Sequence, residues 1–357
     1  MSPSPHPQAI GVHLVGSVPL SHTGDVFVEV LNKLPSRLRR IPDGEPGDRN
    51  YFVMFQSAVF ASISHVLRGY DIREYDPQTS AVVEKLPTTN ELQDLEATLA
   101  SQPLPSTGYE QHALESYKTF VKLRKDNIIP PGIKFQVSLP TPINVLCLVA
   151  KGYQKLLEPF YEANLLRSLQ NIQENIPHED LAIQWDIAAE FGMLEGATDD
   201  HFMPFFEPLK QGILQRLVRL IDSVDRDVEC GVHLCYGDVE HHHFVEPNDM
   251  GLLVEIATSL VAAADRNVNF IHMPVPKSRV DEVYFAALQN LNIPSTTELI
   301  LGLVHYDDLE GTRIRIESAA KTGKRFAIAT ECGMGRTPFH ELESILAISM
   351  LESNPRT

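Results

Sequence analysis

The 357-residue sequence lacks several features that would place it in a well-defined class of protein. No apolar run approaches the roughly 20 residues that a helix needs to cross a bilayer. Only four cysteines occur, too few in a chain of this length for the disulfide framework of a small secreted protein. Basic residues number 30 against 47 acidic ones, and the resulting net charge of −17 argues against nucleic acid or an anionic membrane as a partner.

The first residues, MSPSPHPQAIGVH, also lack the basic and apolar regions of a secretory signal. We therefore expect a cytoplasmic protein whose cysteines are buried thiols or metal ligands. With 43% hydrophobic and 22% charged residues, the composition is that of a globular protein. The length allows two ordinary domains or one large α/β barrel.

Short apolar runs alternate with amphipathic helical patterns along the chain. The eight runs cover residues 11–17, 37–45, 133–140, 181–190, 228–238, 268–275, 298–308 and 325–335. Apolar strands that alternate with helices indicate a parallel sheet covered by helices. Eight of them predict a single (βα)8 TIM barrel domain over residues 1–357.

An open doubly wound sheet is the alternative architecture. No G-x-G-x-x-G motif follows the first strand, however, so a dinucleotide site has no support. Residues 70–132 interrupt the alternation between the second and third strands. Their apolar content is too low for a core of their own, so we expect an insertion at the rim of the active site.

Polar and titratable side chains gather where the predicted strands end. In a (βα)8 barrel these ends meet at one face, where the chemistry of such enzymes takes place. Burying many polar groups there is costly unless they have partners, so we expect this face to bind a small-molecule substrate. The substrate-binding candidates are Ser17, Asp43, Glu45, Ser138, Tyr236, His243 and Glu331, and the catalytic candidates are Asp186, His305 and Asp307.

Four further strand-end residues suggest a metal site. His233 and Cys235 lie two apart on one strand, so their side chains can share a face. His272 ends the next strand and Cys332 the last. Thiolates with imidazole select zinc, which takes three or four such ligands at catalytic sites. A lone H-x-C is more often an ordinary strand pair and a lone His272 a hydrogen-bonded core residue, but the joint placement predicts a Zn²⁺ site.

The run His241-His242-His243 has a different character. Successive side chains of a strand point to opposite faces, so three in a row cannot all reach one metal. They are either solvated loop residues, or one of them binds substrate or transfers a proton, since histidine titrates near neutral pH. We expect His243 to be that one.

Four short segments, VHLVGSVP, IQWDIAAE, HLCYGD and ATECGMGR, give the sequence a family resemblance. It resembles the C-terminal catalytic barrel of cobalamin-independent methionine synthase, in the superfamily that includes uroporphyrinogen decarboxylase and thiol alkyltransferases. The resemblance implies zinc on His233, Cys235 and Cys332, binding a thiol substrate as thiolate. The family's glutamate ligand corresponds to His272, which leaves the site with one negative charge fewer.

The resemblance also implies roles around the metal. Ser17 and the adjacent backbone would hold an amino-acid carboxylate, and Asp186 the substrate amine. His305 or Asp307 is nearest to the family's proton donor. The N-terminal barrel that helps methionine synthases bind folate is absent, so a full folate-dependent methionine synthase is not expected.

Three functions remain open at this point. The first is a zinc enzyme that activates a small thiol and transfers an alkyl or methyl group. The second is a zinc-dependent lyase or hydrolase of a small organic acid, in which the metal acts as a Lewis acid. The third is a binding protein that has lost its reaction. A metal-free decarboxylase has less support, because the predicted mouth lacks the arginines of that branch.

Overall fold

The computed structural model describes residues 4–69, 73–76, 81–197, 200–237 and 243–356. Its central element is an eight-stranded parallel sheet. The strands of this sheet are β1 (Ala9–Val12), β2 (Arg40–Pro42), β5 (Lys134–Pro140), β6 (Leu181–Ile187), β7 (Glu229–Leu234), β8 (Phe270–Pro274), β9 (Glu298–Gly302) and β10 (Phe326–Ile328). Each overlaps one of the eight predicted runs.

The strand order confirms the α/β prediction. The sheet runs β1-β10-β9-β8-β7-β6-β5-β2, so neighbours follow chain order without the reversal of a doubly wound sheet. Its curled form is compatible with a TIM barrel. Backbone hydrogen bonds link the segments at its two ends, from Val12 N to Arg37 O and from Val18 N to Gly44 O, both 2.9 Å.

Helices follow the strands and cover the sheet. They are α1 (Thr23–Lys33), α2 (Thr89–Ser101), α3 (Tyr109–Lys125), α4 (Pro142–Leu146), α5 (Gln154–Asn175), α6 (Ala189–Leu194), α7 (Leu209–Asp222), α8 (Gly251–Ala263), α9 (Glu282–Phe285), α10 (Leu309–Ala320) and α11 (Phe339–Glu352). In α7, Ile213, Leu217, Leu220 and Ile221 are buried. Their helical spacing forms one apolar stripe, which explains how the helix packs. None of the described helices is both long and apolar enough to span a membrane.

The predicted insertion at 70–132 contains a hairpin and two helices. Strands β3 (Arg73–Asp76) and β4 (Ala81–Glu84) pair antiparallel, while residues 70–72 and 77–80 lie outside the described part of the chain. Helix α3 belongs to the helix layer: the Phe120 ring lies 5.7 Å from Phe27 of α1 and 5.5 Å from Phe135 of β5. The position of this insertion at the rim of the active site stays a prediction. Its last helix, α3, packs on the sheet.

The N-terminal end of the sheet is closed by a buried ion-pair network. Arg40 of β2 contacts Glu229 of β7 at 2.7 Å and Glu298 of β9 at 3.0 Å. Its guanidinium also lies 4.0 Å from the centre of the Phe270 ring. One side chain thus connects β2 with strands across the curled sheet, at the end opposite to the candidate site.

Candidate metal centre and substrate cavity

Three metal-ligating side chains meet at the C-terminal end of the sheet. His233 lies in β7, Cys235 continues that strand through a 2.8 Å bond from its N–H to Ile187 O, and Cys332 follows β10. Their ligand atoms lie within 4.8 Å of one another. Among the residues that the structure describes, this is the only group of three or more histidine, cysteine or acidic side chains so close together.

The spacing of this group fits zinc. Two sulfurs at about 2.3 Å from a tetrahedral zinc ion lie about 3.8 Å apart, and the Sγ atoms of Cys235 and Cys332 are separated by 3.8 Å. All four cysteines of the chain are thiols. His233 Nε2 is buried and has no hydrogen-bond partner among the described residues. An unpartnered buried nitrogen costs about 1–3 kcal/mol, which a metal bond would offset.

The electrostatics of the group also suit a metal. Burial lowers the pKa of His233 well below its usual value, so the ring is neutral and able to ligate at pH 7. The hydrogen bond to Cys332, together with burial, raises the pKa of the Cys235 thiol. The Gly237 N–H donates to Cys235 Sγ at 3.2 Å and favours the thiolate. A metal cation bound to the sulfur atoms would stabilise the thiolate form further.

His272 lies behind His233, not beside the thiols. Its Nδ1 is 2.7 Å from His233 Nδ1, and its Nε2 is 3.0 Å from the carbonyl oxygen of Thr330. Both ring nitrogens are therefore engaged with protein atoms, and His272 is outside the ligand group. His272 as the fourth ligand stays a prediction from the sequence.

A cavity beside the metal group is lined by three acids, of which Glu45 and Asp186 have raised pKa values. It is lined by Pro42, Asp43, Glu45, Arg49, Phe52, Phe55, Tyr109, Ala113, Phe135, Gln136, Val137, Ser138, Pro140 and Asp186. Burial raises the pKa of Glu45 to about 7, with Arg49 opposing and Asp43 assisting the shift. Burial and the neighbouring Glu45 raise the pKa of Asp186 well above its usual value. Two acids that resist ionisation in one cavity are suited to a cationic ligand.

Asp43 organises the cavity wall. Its carboxylate accepts from the Glu45 N–H at 2.9 Å, from Arg49 Nη2 at 2.8 Å and from Ser116 Oγ at 2.7 Å. Glu45 itself has a positive φ of 51°, a conformation that this hydrogen bond helps to hold. Asp43, predicted to bind substrate, thus has its oxygens occupied by protein groups and positions Glu45 and Arg49.

Ser17 and Ser138 connect the first strand to the rest of the site. Ser17 Oγ accepts from the Gly335 N–H at 3.0 Å, and Ser17 O accepts from the Met334 N–H at 2.7 Å. The segment after β1 therefore packs directly on the segment that carries Cys332. Ser138 donates to Val15 O at 3.2 Å and lines the cavity.

A third group surrounds Glu331. His243 Nε2 lies 3.5 Å and His305 Nε2 3.8 Å from its carboxylate oxygens, and His243 Nδ1 lies 3.2 Å from Glu246. Burial disfavours the charged form of His243, but the two carboxylates outweigh it and raise the His243 pKa. Burial, with Arg315, lowers the pKa of His305 to about 3. His243 is thus the better proton donor of the two.

The two remaining predicted site residues are Asp307 and Tyr236. Asp307 is exposed with a positive φ of 49°, and its N–H reaches Ser344 Oγ at 3.2 Å. Its side chain is therefore turned to solvent, and a catalytic role for Asp307 stays a prediction. Tyr236 is fully buried, donates to Glu195 at 3.2 Å and packs against Phe191. It supports the wall behind His243.

Sequence reasoning missed Arg49 and Tyr109, which both line the cavity. Tyr109 begins α3, inside the segment assigned to an insertion. Arg49 lies in a short 3₁₀ helix, Gly47–Tyr51, six residues after Asp43. The stretch RRIPDGEPGDR carried a usable signal, since an arginine so close to two strand-end acids is a natural ion-pair partner. His241 and His242 lie outside the described residues.

Comparison with known proteins shows similarity in structure alone. No protein-family model and no curated protein matches the sequence. Among solved structures, a B12-independent methionine synthase from Shewanella sp. W3-18-1, in complex with selenomethionine, matches with a TM-score of 0.54 at 15% identity. The match covers 96% of each chain. A methyltransferase from Methanosarcina mazei matches with a TM-score of 0.44 at 14% identity, over 95% of this chain and 94% of its own. The first match confirms, at the level of the fold, the resemblance found in the sequence: this chain has the fold of a B12-independent methionine synthase.

Proposed function

We propose that this protein is a zinc-dependent enzyme that activates a small thiol and transfers an alkyl group, such as methyl, to it. The observation that carries the proposal is the group of His233, Cys235 and Cys332, whose two sulfurs have the spacing of zinc ligands. Zinc, when bound, lowers the pKa of a thiol, so that a thiolate nucleophile exists at neutral pH. The three protein donors leave a fourth position for that thiol.

The cavity supports an amino-acid thiol as the substrate class. A substrate ammonium group would provide the cation that Asp186 and Glu45 need in order to ionise in a buried site. Ser17 and the backbone around it would hold a carboxylate, as the sequence resemblance implies. The Shewanella protein is described in complex with selenomethionine, an amino acid with a methylated chalcogen, which is the kind of product that this reaction would form.

The residues around Glu331 would supply the proton that the reaction needs. During transfer a sulfur–carbon bond forms, the bond from that carbon to the donor breaks, and its electron pair leaves with the donor atom. His243, held between Glu331 and Glu246, would give a proton to that leaving atom. His305, whose Nε2 is hydrogen-bonded to the carbonyl oxygen of Val275 at 3.1 Å, would line the other side of the Glu331 carboxylate.

Chain length does not separate this protein from methionine synthases. From the sequence alone a full folate-dependent methionine synthase is not expected, because the family's N-terminal barrel has no counterpart in these 357 residues. The Shewanella methionine synthase, however, is matched over 96% of its own chain, so it is comparable in length. The identity of the alkyl donor is therefore a matter for assay, with both folate and non-folate methyl donors included.

The direct test combines metal analysis with product formation. We expect about one zinc ion per purified chain, and S-methylated product from homocysteine with an appropriate methyl donor. His233→Ala and Cys332→Ala should lose both. Cys230→Ala is a matched control, because Cys230 is fully buried in the same strand as His233 and outside the ligand group. A metal content that both ligand variants retain would overturn the assignment.

A lyase or hydrolase without a thiol is the second candidate. It is favoured by the ligand set, because two thiolates and a neutral imidazole leave zinc more electrophilic than three anionic ligands would. Turnover of a small organic acid that chelators abolish and added thiols do not affect would support it. A requirement for a methylated cosubstrate would exclude it.

A further inference from the structure

We infer that His272 is a positioning residue for the metal centre: its ring fixes which nitrogen of His233 carries hydrogen and so presents His233 Nε2 to the metal. The inference rests on the proposed metal site. It assigns to His272 a role other than ligation, although the sequence resemblance puts it where the family has a ligand.

The first step is the hydrogen bond between His272 and Thr330. His272 Nε2 lies 3.0 Å from the carbonyl oxygen of Thr330. A carbonyl oxygen can only accept, so Nε2 carries the hydrogen. His272 is fully buried, where a charged ring is costly, so the ring is neutral and holds a single N–H. Its Nδ1 is consequently a bare acceptor.

The second step fixes the tautomer of His233. The two Nδ1 atoms lie 2.7 Å apart, a distance that needs one hydrogen between them. Because His272 Nδ1 has none, His233 Nδ1 must donate. The neutral His233 ring then has no hydrogen on Nε2, and its lone pair points into the site. This is the buried nitrogen for which the described residues provide no partner, and it belongs to the ring that groups with the two thiols.

The third step extends the same chain to the other side of the metal group. Thr330 stands two residues before Cys332, and its hydroxyl donates to the Cys332 carbonyl oxygen at 2.7 Å. Hydrogen bonds therefore run from His233 through His272 and Thr330 to the backbone of Cys332. One buried ring thus sets both the direction of the imidazole ligand and the position of the segment that carries a thiol ligand.

This arrangement also explains why His272 is not a ligand. To bind the metal it would have to give up its bond to His233 or its bond to Thr330, and each would leave a buried polar group unpaired. With His272 behind His233, the protein supplies three donors. The position that a fourth protein ligand would fill stays available to a substrate atom.

The experiment has one arm that needs no metal. Nitrogen-15 NMR of the metal-free protein reports the tautomer of His233, and we expect hydrogen on Nδ1. In His272→Leu that preference should be lost. In His272→Asn the amide oxygen can take the place of the Nδ1 acceptor, so the preference should return. Hydrogen on Nε2 of His233 in the wild-type protein would overturn the inference, whether or not a metal binds.

The second arm measures the metal. Zinc affinity by chelator competition should fall about 10- to 100-fold in His272→Leu and recover most of that in His272→Asn. Zinc X-ray absorption of the wild-type protein should count one imidazole. Two imidazoles would overturn the inference and leave the metal centre standing, whereas a wild-type protein with the expected tautomer and no zinc affinity would overturn only the proposed function.

The matched control is His13→Leu. His13 is another buried histidine, with its ring 6.1 Å from that of His272, and it bonds to Gln184 at 3.0 Å, away from His233. The His13→Leu variant lacks a ring of the same size next to the same site. Equal losses of zinc affinity in His13→Leu and His272→Leu would show a general packing effect and contradict the positioning role.

Discussion

The sulfur atoms of Cys235 and Cys332 lie 3.8 Å apart although 97 residues separate them in the chain. The parallel sheet produces this contact by bringing the ends of β7 and β10 to one face. The distance is that of two thiolates on one tetrahedral zinc ion, not of a disulfide, whose sulfurs are about 2.0 Å apart. Two thiols at this distance, one buried and one partly exposed, have consequences for metal binding that can be measured.

Zinc affinity should rise steeply with pH. The hydrogen bond to Cys332 and burial raise the pKa of Cys235, so binding must displace thiol protons. Lowering the pH favours the protonated thiol and opposes the metal. With two protons released, the apparent dissociation constant should fall by up to about 100-fold for each unit of rising pH. Chelator competition at pH 6, 7 and 8 measures this, and an affinity independent of pH would show that thiolates are not the ligands.

Asp186→Asn should weaken the binding of an amine-bearing substrate. The carboxylate faces the cavity and accepts from Gln184 Nε2 at 2.8 Å, which leaves oxygen capacity for an ammonium group. A charge-assisted hydrogen bond contributes about 1.5–3 kcal/mol, so KM should rise about 10- to 100-fold. Asp265→Asn, on the exposed surface, is the control. An unchanged KM would place the amine elsewhere.

Much of this site follows from the sequence, for a physical reason. Parallel strands alternate their side chains and end at one face, so the positions of His233, Cys235 and Cys332 along the strands are enough to predict that they meet. The eight strands of the parallel sheet overlap the predicted runs, because fully buried strands give apolar runs that helices separate, whereas the hairpin strands β3 and β4 lie outside those runs. The sequence therefore predicts best those residues whose positions follow the regular alternation of a strand.

The remaining features depend on local geometry that no periodicity describes. His272 is at the predicted strand end, but its ring is held by Thr330 in the segment after β10. Asp307 turns to solvent because its backbone adopts a left-handed conformation. Arg49 enters the cavity from a short irregular helix, where it pairs with Asp43. Such contacts become visible only when side-chain positions are known.

His243→Asn should slow turnover without loss of metal. His243 is the histidine whose pKa is raised, since Glu331 and Glu246 outweigh the effect of burial. Removing a positioned general acid lowers kcat by about 10²- to 10⁴-fold. His22→Asn, an exposed histidine that makes no side-chain cap bond at α1, provides the control. If the variant keeps a normal kcat, His243 is not the proton donor, and His305 becomes the candidate.

Glu190→Gln should change how stability depends on pH. Glu190 is fully buried, and burial raises its pKa from 4.5 to about 7. A carboxyl group with a higher pKa in the folded chain favours folding at low pH. That contribution is complete below pH 4.5 and is lost as the pH rises through about 7. The free energy of unfolding of the variant, relative to wild type, should thus increase by about 3 kcal/mol from pH 4.5 to 8. Urea denaturation at both pH values tests this, and parallel curves would contradict it.

Arg40→Ala should destabilise the fold and leave the metal centre intact. Arg40 is buried between Glu229 and Glu298 at the opposite end of the sheet from His233. Its removal takes away the ion pair of Glu229 and uncovers the Phe270 ring, while Glu298 keeps its contact with Arg356, at a cost of about 1–3 kcal/mol. The midpoint of urea unfolding should fall accordingly, while zinc affinity in the folded protein should match wild type. A loss of zinc affinity without a loss of stability would mean that the two ends of the sheet are coupled.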